Sequence, residues 1–250
     1  MLITSLLFYS LALIFSLILM VLKTGRLLVL LCLTLGVLTY LVYVLYLTLK
    51  VGSFPFANLY GILSVLGNLL LLIFLVLELR GFSTLRYATL MSLFGILFSL
   101  LLLPAEPTPY KNVLYSLHVL SAILGYLFAF LGGINSTVRL LLERNLKAKK
   151  LYSASAPISF FFRWERISLN LAFVMFTLTL LFGSLWSRVH FGKHWIDDPK
   201  LLMTLMLWFY YAFVSHANLV GRPKPRTLSI LIIVGAILSM LNLLVIRHEF

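Results

Sequence analysis

The chain has 250 residues, of which 62% are hydrophobic and only 11% are charged, and its formal net charge is +13. Soluble domains are about 45–50% apolar and about 25% charged, so most of this chain must face lipid rather than water. The high apolar content excludes a disordered protein and a typical nucleic-acid-binding protein. A disulfide scaffold is excluded because Cys32 is the only cysteine, and we expect it to be a small packing residue.

Eight apolar stretches are predicted to be transmembrane helices, because crossing a bilayer core takes about 20 apolar residues. In chain order they are Leu2–Leu22, Leu27–Leu49, Asn58–Leu79, Thr84–Leu103, Asn112–Leu142, Ile167–Ser187, Leu201–Val220 and Thr227–Ile246. No basic residue precedes the long first stretch, so we expect it to remain as a helix rather than to be a cleaved signal. The predicted fold class is all-α, a polytopic membrane protein with about eight transmembrane helices.

The basic residues predict the orientation of these helices. With the N-terminus outside, the cytoplasmic segments carry more than twice as many lysines and arginines as the opposite side. Both termini are then expected outside, in a multi-pass protein of the cell inner (plasma) membrane, with the positive charge attracted to anionic lipid. The basic segment Glu143–Arg166, which contains Pro157 and the cluster Phe160–Phe162, is predicted to lie along the inner membrane face.

Side chains able to carry chemistry are few. Apart from Glu78 at a helix end, no carboxylate lies inside a predicted span, which argues against a proton- or ion-coupled transporter. The chain has five histidines: His118, His190, His194, His216 and His248. Topology places four of them outside: His118 near the outer end of the fifth helix, His190 and His194 in the loop between helices six and seven, and His248 after the outer end of the eighth. Imidazoles can ligate haem iron or, together with Asp197 and Asp198, a zinc ion.

The predicted loop also contains aromatic and basic residues. Trp186 and Trp195 offer flat apolar faces, although Trp195 and Trp208 could equally be interfacial anchors. Three basic residues could pair with carboxylates such as haem propionates: Arg188, Lys193 and Lys200.

His216 differs from the other histidines. It lies about 15 residues into the seventh predicted helix, roughly 22 Å from its outer end. An imidazole at that depth is either a functional residue or a structural one that forms a hydrogen bond to a neighbouring helix, for example through Ser215, Asn218 or another span. No other histidine lies near that level, so a second iron ligand there would have to come from elsewhere, such as a partner chain.

Four sequence elements occur in an order that is similar to a known family. They are Gly52–Tyr60, Ser116–His118 with Gly125 and Tyr126, Trp195–Lys200 followed by Trp208 and His216, and Asn242–His248. Together they resemble the cytochrome c assembly protein family of the CcsA/ResC type, which is related to CcmC, CcmF and HemX-like proteins. The resemblance implies a single membrane domain, 1–250, with two N-terminal helices in 1–49 and a haem-handling core in 50–250 whose outer loop is 188–200.

The resemblance also implies a function. Haem b, a transient substrate, would enter near His216 and be presented outside between His118 and His248, the three histidines acting as axial ligands of the iron. The surrounding site would consist of Trp195, Trp186, Asp198, Pro199 and Lys200. Reduced thiols of an apocytochrome c would add to the haem there, with a CcsB-like membrane partner and a thiol-reducing thioredoxin-like protein assisting. The resemblance leaves open whether the chain is itself an enzyme; an active chain would be a cytochrome c haem lyase.

Three positions depart from the family pattern. Asp197 stands in place of a tryptophan, Leu201 in place of a glutamate, and Met203 in place of another tryptophan. One alternative is therefore a non-catalytic, HemX-like haem-binding subunit or regulator. Another is a transporter for a different small amphipathic molecule, in which the histidines are structural.

Overall fold

The computed structural model describes residues 1–22, 24–82, 84–149 and 156–245. This part of the chain forms a 3-10 turn, Thr84–Tyr87, and eight α-helices: α1 (Leu2–Leu22), α2 (Arg26–Val51), α3 (Leu59–Leu79), α4 (Ala88–Leu100), α5 (Val113–Lys147), α6 (Ile158–Phe191), α7 (Pro199–Leu219) and α8 (Pro225–Leu244). Six of them, all except α4 and α7, are long and apolar enough to cross a membrane. The predicted all-α, multi-pass membrane fold is confirmed.

The helix boundaries differ most from the prediction in α4 and α6. The fourth predicted span is α-helical only over 13 residues, because a 3-10 turn forms its start. Helix α6 begins at Ile158, directly after Pro157, so Phe160–Phe162 lie in its first turns rather than in a polar connection. A proline suits the start of a helix, where its missing N–H is not needed.

The chain divides into two compact units, Met1–Lys111 and Asn112–Phe250. The first unit contains α1 to α4, and the second contains α5 to α8. In the first unit the fully buried ring of Tyr9 lies against Gly36 and Gly95, where an added Cβ would approach it to 2.7 and 2.6 Å. The Tyr9 hydroxyl donates a hydrogen bond to Asn68 Oδ1 at 2.6 Å, and Cys32 packs in the same core.

The Gly52–Tyr60 element builds a pair of loops in the first unit. Asn58 caps α3 by accepting a hydrogen bond from the backbone N–H of Gly61 at 3.3 Å. The buried Phe56 pairs with Pro107 through an isolated β-bridge, and its ring packs edge-on against Phe54 at 5.7 Å. This element therefore has a structural role: it joins the segment between α2 and α3 to the segment between α4 and α5.

The second unit is a bundle of four helices in which α5 and α7 each pack against both α6 and α8. Helices α5 and α6 are antiparallel, since residues near the start of α5 contact residues near the end of α6. We call one end of this bundle the His118 end; it contains the start of α5, the end of α6, the start of α7 and the end of α8. The opposite end is called the Arg139 end.

Candidate functional site

His118 lies half-buried in the second turn of α5, with its ring against Gly183 of α6. Its Nδ1 atom is 2.9 Å from the backbone oxygen of Thr179. A carbonyl oxygen only accepts hydrogen bonds, so Nδ1 is the donor and carries the proton. In the neutral ring Nε2 is then unprotonated, which is the tautomer that ligates a metal. A backbone carbonyl that holds the other ring nitrogen is the usual means of orienting a histidine ligand.

An aromatic cluster lies next to His118. Trp186 is buried one turn after Gly183, and its ring is nearly parallel to that of His190, with 5.3 Å between centroids and an angle of 9°. Tyr115 and Phe191 also contact Trp186, at 5.7 and 5.6 Å. His190 lies in the last turn of α6, so its predicted position in the loop is wrong; the helix continues to Phe191 because these aromatic contacts hold its end.

The connection between α6 and α7 is shorter than the predicted loop 188–200. Gly192 ends α6 with φ +75°, and α7 begins at Pro199, which leaves an exposed irregular loop. In this loop His194 Nε2 accepts a hydrogen bond from Arg188 Nη1 at 3.0 Å, while Nδ1 lies 3.1 Å from Ser184 Oγ. Trp195 is 44% exposed, so its indole face is accessible at the surface.

Residues Asp198, Pro199 and Lys200 form the start of α7. The buried Asp198 carboxylate accepts a hydrogen bond from the backbone N–H of Leu201 at 3.0 Å, which caps the helix, and Pro199 follows in its first turn. The Lys200 ammonium donates a hydrogen bond to the backbone oxygen of Asn242 in α8. Burial lowers the pKa of Lys200 to about 8, and the Asp198 carboxylate opposes that shift.

The structure places His216 at the opposite end of the bundle. It lies in the last turn of α7, about 13 residues or about 20 Å along the axis from the level of His118. Its side chain is exposed, and the residues that the structure describes provide no hydrogen-bond partner for its ring. The suggested partner positions are engaged elsewhere, because Ser215 donates to Asn170 at 2.8 Å and Asn218 accepts from Arg166 at 2.8 Å.

A buried charged cluster at the Arg139 end was missed by sequence reasoning. Glu165 of α6 is fully buried, with Oε1 at 3.5 Å from Nη1 of Arg139 in α5. Its Oε2 accepts hydrogen bonds from Ser136 of α5 at 2.9 Å and Ser229 of α8 at 2.7 Å. Glu165 precedes the predicted sixth span, Ile167–Ser187, and α6 extends far enough towards its N-terminus to include it. The sequence feature that could have indicated this ion pair is the position of Arg139 near the end of the fifth predicted span and of Glu165 just before the sixth.

His248 lies outside the described residues, but the helix that leads to it is described. Gly133 of α5 packs against Ala236 of α8, and Arg139 donates to the backbone oxygen of Pro225 at 3.0 Å, so the two helices are antiparallel. The same register brings Val245, the last described residue, level with about residue 121 of α5, within one turn of His118.

A zinc site finds no support in the described segments 1–22, 24–82, 84–149 and 156–245. They contain no group of three or more histidine, cysteine, aspartate or glutamate side chains that could hold a metal ion. A site with fewer protein ligands, such as a haem iron between two imidazoles, does not need such a group.

Comparisons with known proteins support the family resemblance that was found in the four sequence elements between Gly52 and His248. Among curated proteins the chain is similar to cytochrome c biogenesis protein CcsA of Chlamydomonas reinhardtii, 28% identical over 46% of this chain and 32% of that protein. It is also similar to CcsA of Coffea arabica, 26% identical over 29% of this chain and 22% of that protein. The matches thus span about a third or less of these relatives, and no solved structure matches the chain. A family model described as cytochrome C assembly protein matches residues 28–249, so the chain belongs to the cytochrome c assembly protein family.

Proposed function

We propose that this chain binds haem at the His118 end of its second unit and presents it for covalent attachment to apocytochrome c. The observation that carries the proposal is the hydrogen bond from His118 Nδ1 to the backbone oxygen of Thr179, because a backbone carbonyl is the usual group that orients a histidine ligand. The membrane would be the cell inner (plasma) membrane, with the His118 end facing outward. Haem is the substrate of this site, held only until it is transferred.

The second axial ligand in this proposal is His248. It follows Val245 by three residues, and three extended residues reach about 10 Å at most. Since Val245 lies within about one turn of the level of His118, His248 can reach the neighbourhood of that ring. Two neutral imidazoles on opposite sides of an iron atom make a stable low-spin haem site.

The residues around His118 suit a porphyrin. The exposed ring of His190 is stacked on the buried Trp186 and gives this end a flat aromatic surface, and the exposed Trp195 can cover a ring face. Exposed cations stand beside this surface, since Arg188 and Lys193 belong to the end of α6 and its loop. Guanidinium and ammonium groups pair with carboxylates, so they would orient the two propionates.

Attachment requires little acid–base chemistry from the chain. A cysteine S–H of the apocytochrome adds across a haem vinyl double bond: sulfur bonds to one carbon, hydrogen to the other, and nothing leaves. The thiols must be reduced beforehand, which is the task we assign to a thioredoxin-like partner. The chain contributes by holding the reactants together at high effective concentration. Asp198 is engaged in capping α7, so we assign it a structural role.

We further propose that a CcsB-like membrane partner completes an inner site at His216. The imidazole is exposed on α7 at the Arg139 end, about 20 Å from the level of His118. A second imidazole from the partner would make this an entry site for haem.

The experiment that tests the main proposal is an absorption spectrum of the purified full chain with added haem, oxidised and reduced. We expect a low-spin, b-type spectrum. Co-expression with an apocytochrome bearing a Cys-x-x-Cys-His motif should then yield thioether-linked haem, and a cysteine-free apocytochrome is the control. A colourless protein would contradict the proposal and favour a transporter of another amphipathic molecule.

A non-catalytic, HemX-like haem-binding role is the second candidate. It is favoured by Asp197 in the loop and Met203 in the first turns of α7, which occupy positions where the family has tryptophans. In the same experiment this role would give a bound b-type haem without any thioether product.

A further inference from the structure

Two buried hydroxyl groups lie beside His118, one on each of the two helices that pack there. Ser121 follows His118 by about one turn on α5, and Thr179 faces it from α6; these residues are only 5% and 3% exposed. The Ser121 hydroxyl donates a hydrogen bond to the backbone oxygen of His118 at 2.9 Å. The Thr179 hydroxyl lies 3.2 Å from Ser121 Oγ and donates to it. Both hydroxyls are therefore connected to the residue whose ring is the proposed iron ligand.

These contacts close a ring of three hydrogen bonds. His118 Nδ1 donates to the backbone oxygen of Thr179, the Thr179 hydroxyl donates to Ser121, and the Ser121 hydroxyl donates to the backbone of His118. The Thr179 hydroxyl also lies 2.8 Å from the backbone oxygen of Met175, so its single proton is shared between two acceptors. The ring thus holds His118 both by its backbone and by its imidazole.

The helices themselves do not need these hydroxyls. In a regular α-helix the backbone oxygens of His118 and Met175 each accept a hydrogen bond from the N–H four residues further on, so the hydroxyls use only a second lone pair. Removing either hydroxyl leaves no backbone group unsatisfied. It does remove a direct tie between α5 and α6 next to the imidazole. A hydrogen bond weakens steeply when its donor and acceptor move apart or out of line, so a small shift of the two helices would loosen the ring of His118.

We propose that Ser121 and Thr179 are positioning residues, whose hydroxyls hold the His118 imidazole in one orientation and one tautomer before haem binds. A ligand that is already oriented loses less conformational freedom on binding, so this arrangement favours the capture of haem. That His118 binds iron rests on the proposed function, whereas the orientation of its ring in the haem-free chain does not. The two parts are therefore tested separately.

The orientation of His118 is tested without haem by NMR of the full chain in detergent micelles, with isotopically labelled histidine nitrogens. The His118 signals are identified by their loss in His118→Ala. We expect a single tautomer, protonated at Nδ1, in the unmodified chain, and a mixture of the two neutral tautomers in Thr179→Val and in Ser121→Ala. Thr179→Ser keeps a hydroxyl and should retain the single tautomer. Unchanged His118 signals in both Thr179→Val and Ser121→Ala would overturn the proposal.

Ser239→Ala is the matched control. Ser239 of α8 is fully buried, and its hydroxyl donates to the backbone oxygen of Gly235 at 2.8 Å and pairs with the hydroxyl of Tyr211 in α7 at 3.2 Å. Its loss removes a buried hydroxyl that joins two other helices, so the His118 signals should not change. If they change as much as in Ser121→Ala, the cause is a general loosening of the bundle and the proposal fails. Should Thr179→Val not fold, Ser121→Ala and this control decide.

The effect on iron binding is tested by adding haem to the same full-length variants. Loss of a group that orients a metal ligand typically weakens metal binding about 10–100-fold. The two hydroxyls act through other groups, so we expect the lower limit, about tenfold weaker binding, with less low-spin haem. Added imidazole should restore the low-spin spectrum, because it replaces a misplaced ligand. Unchanged haem affinity in both single variants would contradict the positioning role.

A double variant tests whether the hydroxyls act as one ring. In Ser121→Ala with Thr179→Val the loss of affinity should be no larger than in the more affected single variant, because one change already breaks the ring. Additive losses would show that the two hydroxyls act separately and would overturn the ring. If the unmodified chain binds no haem, the proposed function fails, and the NMR result still decides the orientation of His118.

Discussion

Purified His118→Ala is expected to lose the low-spin haem spectrum and to yield no thioether-linked cytochrome. The imidazole is the proposed iron ligand, and its orientation depends on the space left by Gly183. A Cβ at position 183 would lie 2.8 Å from Nδ1 of His118, so Gly183→Ala should turn the ring away from Thr179 without changing the ligand itself. We therefore expect Gly183→Ala to reduce haem affinity about 10–100-fold, the range seen when the support of a metal ligand is lost.

A matched control is available on the same helix pair. At Gly125 an added Cβ would lie 2.8 Å from the ring of Phe176, so Gly125→Ala creates a similar clash between α5 and α6 far from the imidazole. Both variants should lose comparable stability in thermal unfolding, but only Gly183→Ala should change the haem spectrum. Low-spin haem at unchanged affinity in both His118→Ala and Gly183→Ala would contradict the assignment of His118.

Replacing Arg139 with leucine is expected to destabilise the second unit by about 3–5 kcal/mol. The substitution leaves the fully buried Glu165 without its opposite charge, and breaking one side of a buried ion pair has a cost in this range. The double variant Arg139→Leu with Glu165→Leu should recover most of that loss, because apolar side chains can replace a buried pair at little cost. The unfolding midpoint of the full chain in detergent measures the effect.

Tryptophan fluorescence makes the measurement specific to the second unit. All four tryptophans of the chain, at positions 164, 186, 195 and 208, belong to it. The control is Lys147→Gln, which breaks an exposed ion pair with Glu143 at 2.7 Å and should leave the midpoint nearly unchanged. If the double variant is no more stable than Arg139→Leu, the charge on Glu165 is not the cause of the loss.

Several site residues could be found from sequence, and others could not. His118 and Trp186 were identified by their place in the predicted topology, and the structure brings them to one end of one bundle. Glu165 was missed because its neighbours Arg163 and Arg166 end the apolar run, so the span was predicted to start later. The hydrogen bond between Lys200 and Asn242 was also missed, since no local pattern connects residues 42 positions apart.

The apolar runs were enough to predict a membrane protein of about eight helices, because the length and spacing of such runs are local properties of the chain. Ordered motifs likewise identified its family. Three features became visible only in the folded bundle: Lys200 faces α8, His216 lies exposed, and Glu165 is buried against Arg139. These features depend on the register and rotation of one helix against another. Register and rotation are set by side-chain packing across the whole bundle rather than by any single segment.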